Sequence, residues 1–177
     1  MDKKFELRSR EKKLFRKLSR GEKTWAIVVL AALLTGAWLP ERIIVSTSPS
    51  LDNRIFFLTK TKAAIKNGDY LVFKHRDTSF VRKGIDQDND RLLKKVGCSS
   101  GEMLLVNTKK TFFCGSRKLG TALEVDSKGR SLPFFEFTGV VPENSYFMVG
   151  TNPRSFDSRY FGFIHADEIL YKALPIW

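Results

Sequence analysis

From Thr24 to Pro40 the chain carries no charged residue, and Lys23 on one side and Glu41 and Arg42 on the other frame the run. Its middle, Trp25 to Leu39, is largely Ala, Val, Ile and Leu. A helix rises about 1.5 Å per residue, so these residues reach roughly 25 Å, at the short end for a hydrocarbon core of about 30 Å. The flanking charges can snorkel, and Trp25 and Trp38 sit where interfacial anchors belong. A cleaved leader would need small residues after the apolar run. Ala37-Trp38-Leu39-Pro40-Glu41 offers bulky ones instead. Residues 24–40 are therefore expected to be an uncleaved transmembrane anchor.

The chain has a formal net charge of +12, which suits either a nucleic-acid binder or a basic flank beside a membrane. Placement decides between them. Residues 1–23 hold ten Lys and Arg against four Asp and Glu, so half of the surplus lies directly before the anchor. The rest is spread thinly, with no stripe to track phosphates, and no nucleic-acid partner is expected. Positive charge stays inside. Residues 1–23 are then expected to be cytoplasmic and residues 41–177 outside, which in a bacterium means an inner-membrane anchor and a periplasmic body. Phe5, Leu7, Leu14, Phe15 and Leu18 give the basic segment an amphipathic pattern suited to lying on the lipid surface.

Beyond the anchor, short apolar runs alternate with turn signals. The runs are Arg42–Val45, Ile55–Leu58, Tyr70–Lys74, Arg91–Val96, Met103–Val106, Phe112–Cys114, Phe134–Phe137, Tyr146–Val149 and Phe161–Ile164. Many short strands with frequent turns predict a mainly β body of antiparallel sheet, a sandwich or partly open barrel. No long helix is expected after Pro40, apart from a turn near 59–65, and the polar stretch 76–90 reads as an exposed loop.

Cys98 and Cys114 are the only cysteines, in no CxxC and with no zinc spacing, so no metal or other cofactor is expected. They are either a disulfide of an exported body, worth about 3 kcal/mol in the chain-entropy description, or two half-buried thiols. His75 and His165, the only histidines, sit in no serine-triad context. A lysine can replace histidine as a base if burial or neighbouring cations keep it neutral. Leu92-Leu93-Lys94-Lys95-Val96 offers such a setting. On a strand Leu92, Lys94 and Val96 share one face and Leu93 and Lys95 the other, so one lysine can be buried while its neighbour is solvated. The pattern alone does not choose between them.

Three segments carry a family resemblance. Lys94-Lys95-Val96-Gly97-Cys98-Ser99-Ser100-Gly101-Glu102 overlays, without a gap, the Lys-Arg-Val-x-Gly-Leu-Pro-Gly-Asp box of the type I signal peptidases (peptidase S26). Cys98, Ser100 and Glu102 are departures. Ser48-Pro49-Ser50-Leu51 resembles their Ser-x-Ser-Met box. Gly150-Thr151-Asn152 followed by Ser155-Phe156-Asp157-Ser158-Arg159-Tyr160-Phe161-Gly162 resembles Gly-Asp-Asn leading into Ser-x-Asp-Ser-Arg-x-x-Gly. There Thr151 replaces an aspartate and the spacer is one residue shorter. The resemblance implies a serine-type endopeptidase with a Ser-Lys dyad: Ser50 as nucleophile and Lys94 as base. The Ser50 N–H and the Ser48 hydroxyl would form the oxyanion hole, Ser155 would orient the lysine, and Asp157 and Arg159 would brace the site.

Within the superfamily the chain most resembles the conjugative-transfer pilin peptidases (TraF type), whose box aspartate, here Asp157, is held to take part in catalysis. That implies processing of a membrane-anchored pilin-like precursor beside type IV secretion components, with peptide cyclisation as a variant outcome. The alternatives are a general signal peptidase for secretory preproteins and a non-catalytic anchored β module scaffolding a secretion complex. Ser50 lies ten residues past Pro40, at most about 35 Å when extended, which would tether it near the bilayer.

Overall fold

The computed structural model describes residues 19–60, 64–74 and 91–177. The expected amphipathic pattern within 1–18, part of the turn near 59–65, His75, the loop 76–90 and the Trp38 side chain lie outside the described residues. The chain divides into two units, Met1–Glu41 and Arg42–Trp177.

In the first unit, helix α1 (Arg20–Trp38) starts four residues before the uncharged run. A capping box sets that start: Glu22 N–H donates to Ser19 Oγ at 3.2 Å, and Ser19 N–H donates to Glu22 Oε2 at 2.7 Å. The helix is long and apolar enough to cross a membrane, and its apolar side chains are exposed.

The second unit is built from antiparallel strands. β1 (Ile43–Val45), β2 (Ile55–Thr59), β3 (Tyr70–Lys74), β4 (Arg91–Cys98), β9 (Ser145–Val149), β10 (Ile164–His165) and β11 (Ile169–Pro175) form a seven-stranded sheet. Its order is β1-β2-β11-β3-β4-β9-β10. β5 (Met103–Val106), β6 (Thr111–Cys114), β7 (Arg117–Thr121) and β8 (Gly139–Val140) form a smaller sheet ordered β7-β6-β5-β8. The only helix beyond Pro40 among the described residues, short 3-10 turns aside, is the single turn α2 (Ser158–Phe161).

The mainly β class follows the sequence, but two strands escape the hydrophobic pattern. β11 lies in the middle of the large sheet, between β2 and β3, yet it contains Lys172 and Pro175. Lys172 is accommodated by an ion pair with Asp69, Nζ to Oδ2 at 2.7 Å. β7 (Arg-Lys-Leu-Gly-Thr) is too polar to read as a strand and is held by its pairing with β6.

Phe134–Phe137, in contrast, is not a strand. Phe135 N–H donates to the Arg159 carbonyl at 3.0 Å, and its ring lies edge-on to Phe163 at 5.1 Å. The aromatic alternation there serves packing, not a ladder. Phe161–Ile164 is likewise split. Phe161 ends α2, Gly162 takes φ 84°, and only Ile164 and His165 pair with β9.

Three apolar clusters make the core. One is centred on Phe112, Phe147, Val141 and Leu104, and the Cys98–Cys114 disulfide lies within it, joining β4 to β6. The disulfide alternative is thus the one the structure adopts. The second gathers Leu51, Phe56, Leu58, Val72 and Ala173, and the third Leu71, Phe73, Val96, Met148 and Ile164.

Candidate active site

The loop 46–54 joins β1 to β2 and carries Ser48 and Ser50. Three contacts hold it. Ser46 N–H donates to the Arg54 carbonyl at 2.8 Å, Tyr70 OH donates to Asn53 Oδ1 at 3.2 Å, and Leu51 is buried in the second cluster. The Ser50 carbonyl is clamped by the N–H groups of Thr151 (2.9 Å) and Asn152 (3.3 Å), in the turn after β9. Thr151 Oγ1 also donates to Asp52 Oδ1 at 3.0 Å. Ser48 Oγ donates to Ser50 Oγ at 3.1 Å. Among the described residues the Ser50 N–H has no hydrogen-bond acceptor.

β4 presents the lysines as the alternation requires. Lys94 lies opposite Leu71 and is only 4% exposed, while Lys95 lies opposite Tyr70, half-buried, its Nζ 5.9 Å from that ring's centre. Burial lowers the Lys94 pKa to about 8, against the pull of Asp157 and with help from Arg159. Its Nζ donates to Ser155 Oγ at 2.9 Å.

The Gly97 carbonyl accepts from Arg117 Nη2 at 2.7 Å, and a Cβ at Gly97 would lie 3.0 Å from both Val149 methyls, so a side chain at this β4–β9 bulge would have to push Val149 aside. The following turn is braced by Glu102. Its carboxylate accepts from Asn67 Nδ2 at 2.6 and 2.7 Å and from Ser99 N–H at 2.6 Å. Glutamate in place of the box's aspartate therefore still closes the loop, and Cys98 in place of glycine is spent on the disulfide.

The segment after β9 supplies the rest. Asp157, fully buried, caps α2. Its Oδ1 accepts from Arg159 N–H (3.2 Å) and Nε (2.8 Å), and its Oδ2 from Arg159 Nη2 (2.8 Å) and Gly150 N–H (2.8 Å). Arg159 also donates to the carbonyls of Thr121 (2.8 Å), Ser155 (3.0 Å) and Pro153 (3.4 Å). Burial opposes the guanidinium charge, but the bonds to Asp157 and its charge outweigh that and raise the Arg159 pKa. The buried pair is thus surrounded by acceptors and donors that hold its geometry.

Gly150 ties the parts together. A Cβ there would collide with the Ser155 side chain and would lie 2.8 Å from the Ser50 carbonyl oxygen. Ser50, Gly150, Ser155 and Lys94 thus form one connected cluster. Among the described residues no hydrogen bond joins Lys94 Nζ to Ser50 Oγ. The two are linked through Ser155 and Gly150, and Lys94 and Ser48 line one cleft of about 440 Å³. The clamp by Thr151 and Asn152 was visible in the sequence only as a turn. The Asn67 brace had no local signal, because its partner is far along the chain. His165 lies elsewhere, hydrogen-bonded through Nδ1 to Ser145 Oγ at 3.0 Å.

A buried amine whose pKa is lowered to about 8, a hydroxyl pair and an N–H without an acceptor among the described residues are parts that acyl transfer requires. Signal peptidase I of Buchnera aphidicola subsp. Schizaphis graminum (strain Sg) is 51% identical over 39 residues, and that of Buchnera aphidicola subsp. Acyrthosiphon pisum (strain APS) is 44% identical over 43. These matches span 22% and 24% of this chain and only 12% and 14% of the two relatives' lengths. A solved signal peptidase I from Enterococcus faecalis V583 aligns at 24% identity with a TM-score of 0.39, covering 63% of this chain and 98% of that one. The family model described as signal peptidase, peptidase S26, matches residues 19–177, nearly the whole chain, and the protein therefore belongs to that family.

Proposed function

We propose that the protein is a membrane-anchored serine endopeptidase in which Ser50 attacks a scissile carbonyl and neutral Lys94 takes its proton. The observation that carries this is the Lys94 amine, buried, with its pKa lowered to about 8 and bonded to Ser155 within the same cluster as Ser50. Lys94 Nζ turns from Ser155 toward Ser50 when substrate fills the cleft, since catalytic hydrogen bonds commonly tighten only in the bound complex. The Ser50 N–H and the Ser48 hydroxyl receive the oxyanion. The protonated lysine then passes its proton to the leaving amine, and water or a second amine releases the acyl-enzyme. Asp157, with both oxygens engaged, acts through Gly150 and Arg159 to fix the loop that carries Ser155.

Helix α1 anchors the enzyme, with the basic residues 1–23 on the cytoplasmic side and the body on the periplasmic side of the inner membrane. The substrate is a pilin-like precursor of a conjugative or type IV secretion apparatus, a reading supported by the Ser-Phe-Asp-Ser-Arg-Tyr-Phe-Gly box. A general preprotein substrate is the second reading, favoured by the Buchnera signal peptidases among the relatives. Incubating the full chain with a pilin-like precursor and with an Ala-x-Ala preprotein separates the two. Cleavage of the first alone supports the specialised enzyme, cleavage of the second the general one. Loss of either activity in Lys94→Ala is expected, and retained activity would remove the base.

A further inference from the structure

Ser50 and the acceptor of Lys94 sit on different segments, and their register must be set by contacts between the two. The turn 150–155 is braced within itself. Asn152 Oδ1 accepts from Arg154 N–H at 2.8 Å, the Asn152 carbonyl accepts from Ser155 N–H at 2.9 Å, and Gly150 N–H donates to Asp157 Oδ2 at 2.8 Å. That turn carries Ser155, to which Lys94 is bonded. The loop 46–54 carries Ser50 and is fastened to the large sheet. Leu51 is buried in the second cluster, and Asn53 accepts from the Tyr70 hydroxyl.

Among the described residues two hydrogen-bonded points join the loop to the turn. The first is the Ser50 carbonyl oxygen, which takes the N–H groups of both Thr151 and Asn152. A single atom is a pivot. The loop can turn about it, and swing the Ser50 hydroxyl, with little strain on either bond. The second point is Asp52, two residues on, whose Oδ1 accepts from Thr151 Oγ1 at 3.0 Å. The same hydroxyl lies 3.5 Å from the Ser50 carbonyl oxygen, so Thr151 spans both points. A second point removes most of the turning that one point allows.

The residue types make the pair particular to this chain. Thr151 stands where the Gly-Asp-Asn pattern has its aspartate. That departure is answered across the contact: the turn offers a hydroxyl, and the loop supplies the carboxylate from Asp52. We infer that Asp52 and Thr151 are positioning residues for Ser50, a latch that holds its loop in register with the Ser155 turn, and that the two residue types are matched to each other. The catalytic consequence rests on the peptidase reading; the latch itself does not.

The test uses the full chain in detergent micelles and two readouts. One is hydrogen–deuterium exchange in peptides covering 46–54. The other is the rate at which a p-nitrophenyl ester acylates Ser50, located by peptide mapping. Both side chains are exposed, so their replacement is expected to leave the fold intact. Thr151→Val and Asp52→Ala are each expected to speed exchange in the loop and to slow acylation about tenfold. The double replacement is expected to be no worse than either alone, because each single removes the same bond. Thr151→Asp sets two carboxylates against each other and is expected to give the same two effects. Adding Asp52→Asn is expected to reverse both, by about tenfold in rate, because the amide donates to the new carboxylate. A merely structural role for either residue would not produce that recovery. Unchanged exchange in the single variants, additive losses, no recovery on adding Asp52→Asn, or a Ser50 acylation rate that ignores these replacements would overturn the inference. Exchange that responds as expected in a chain whose Ser50 is never acylated would support the latch and overturn the peptidase reading.

Discussion

Lys94 Nζ reaches Ser155 Oγ at 2.9 Å from inside the protein, not from solvent. A flexible ammonium is thereby converted into a fixed amine with a pKa of about 8.

The base is active when unprotonated. Hydrolysis (kcat/KM) should rise about tenfold per pH unit below pH 8 and level off above it, the limb reporting Lys94 in the free enzyme. A flat profile from pH 6 to 9 would exclude a titrating lysine base.

The same shift links to stability. The folded pKa of Lys94 lies near 8 and its ordinary value is 10.5, so between these the unfolded chain binds more protons and stability rises with pH. Below pH 8 the full cost, on the order of 3 kcal/mol, is present; above pH 10.5 it is gone. Lys94→Met removes the cost and also the bond to Ser155. It is expected to stabilise the protein at pH 7 by about 1–3 kcal/mol while abolishing cleavage. Denaturant melts of both proteins at pH 7 and pH 10 check this, and the gap should narrow at the higher pH.

Ser155→Ala takes away the acceptor that holds the Lys94 ammonium. The charged form then loses support, so the acid limb of the rate profile should move to lower pH while the rate falls about ten- to hundredfold through misplacement of the amine. A fall in rate with the limb unmoved would mean that Ser155 acts elsewhere.

Asp157→Asn strands a guanidinium that is only 2% exposed. Leaving a buried charge without its partner costs about 3–5 kcal/mol, and Gly150 loses its acceptor in the same step. Thermal melting should show a large drop, more than for an exposed pair such as Lys110–Glu124.

The Cys98–Cys114 bond joins the two sheets. Reduction, or paired replacement by alanine, is expected to lower stability by about 2–4 kcal/mol in equilibrium unfolding.

Much of this was legible in the residues. The strand pattern of Leu92–Val96 allowed one buried lysine, and family resemblance singled out Lys94, where the structure has the buried one. Strands that are short unbroken apolar runs, β2 and β3 above all, were also foreseeable. β11 and β7 were not, because their apolar pattern is interrupted by Lys172, by Pro175 and by Arg117-Lys118, and tertiary pairing overrides local composition there. Phe134–Phe137 failed in the other direction. An aromatic run signals packing, and these half-buried rings pack against other rings, not along a ladder. At the site, the clamp on the Ser50 carbonyl and the Asn67–Glu102 brace join residues far apart in the chain, and no local pattern encodes such contacts.

Peptide mapping after treatment with a serine-directed acylating probe tests the central claim most directly. The wild-type chain at pH 8.5 is predicted to carry the acyl group on Ser50, with much less at pH 6.5 and none in Lys94→Ala. Acylation of another residue, or equal labelling of Ser50 when Lys94 is absent, would contradict the account.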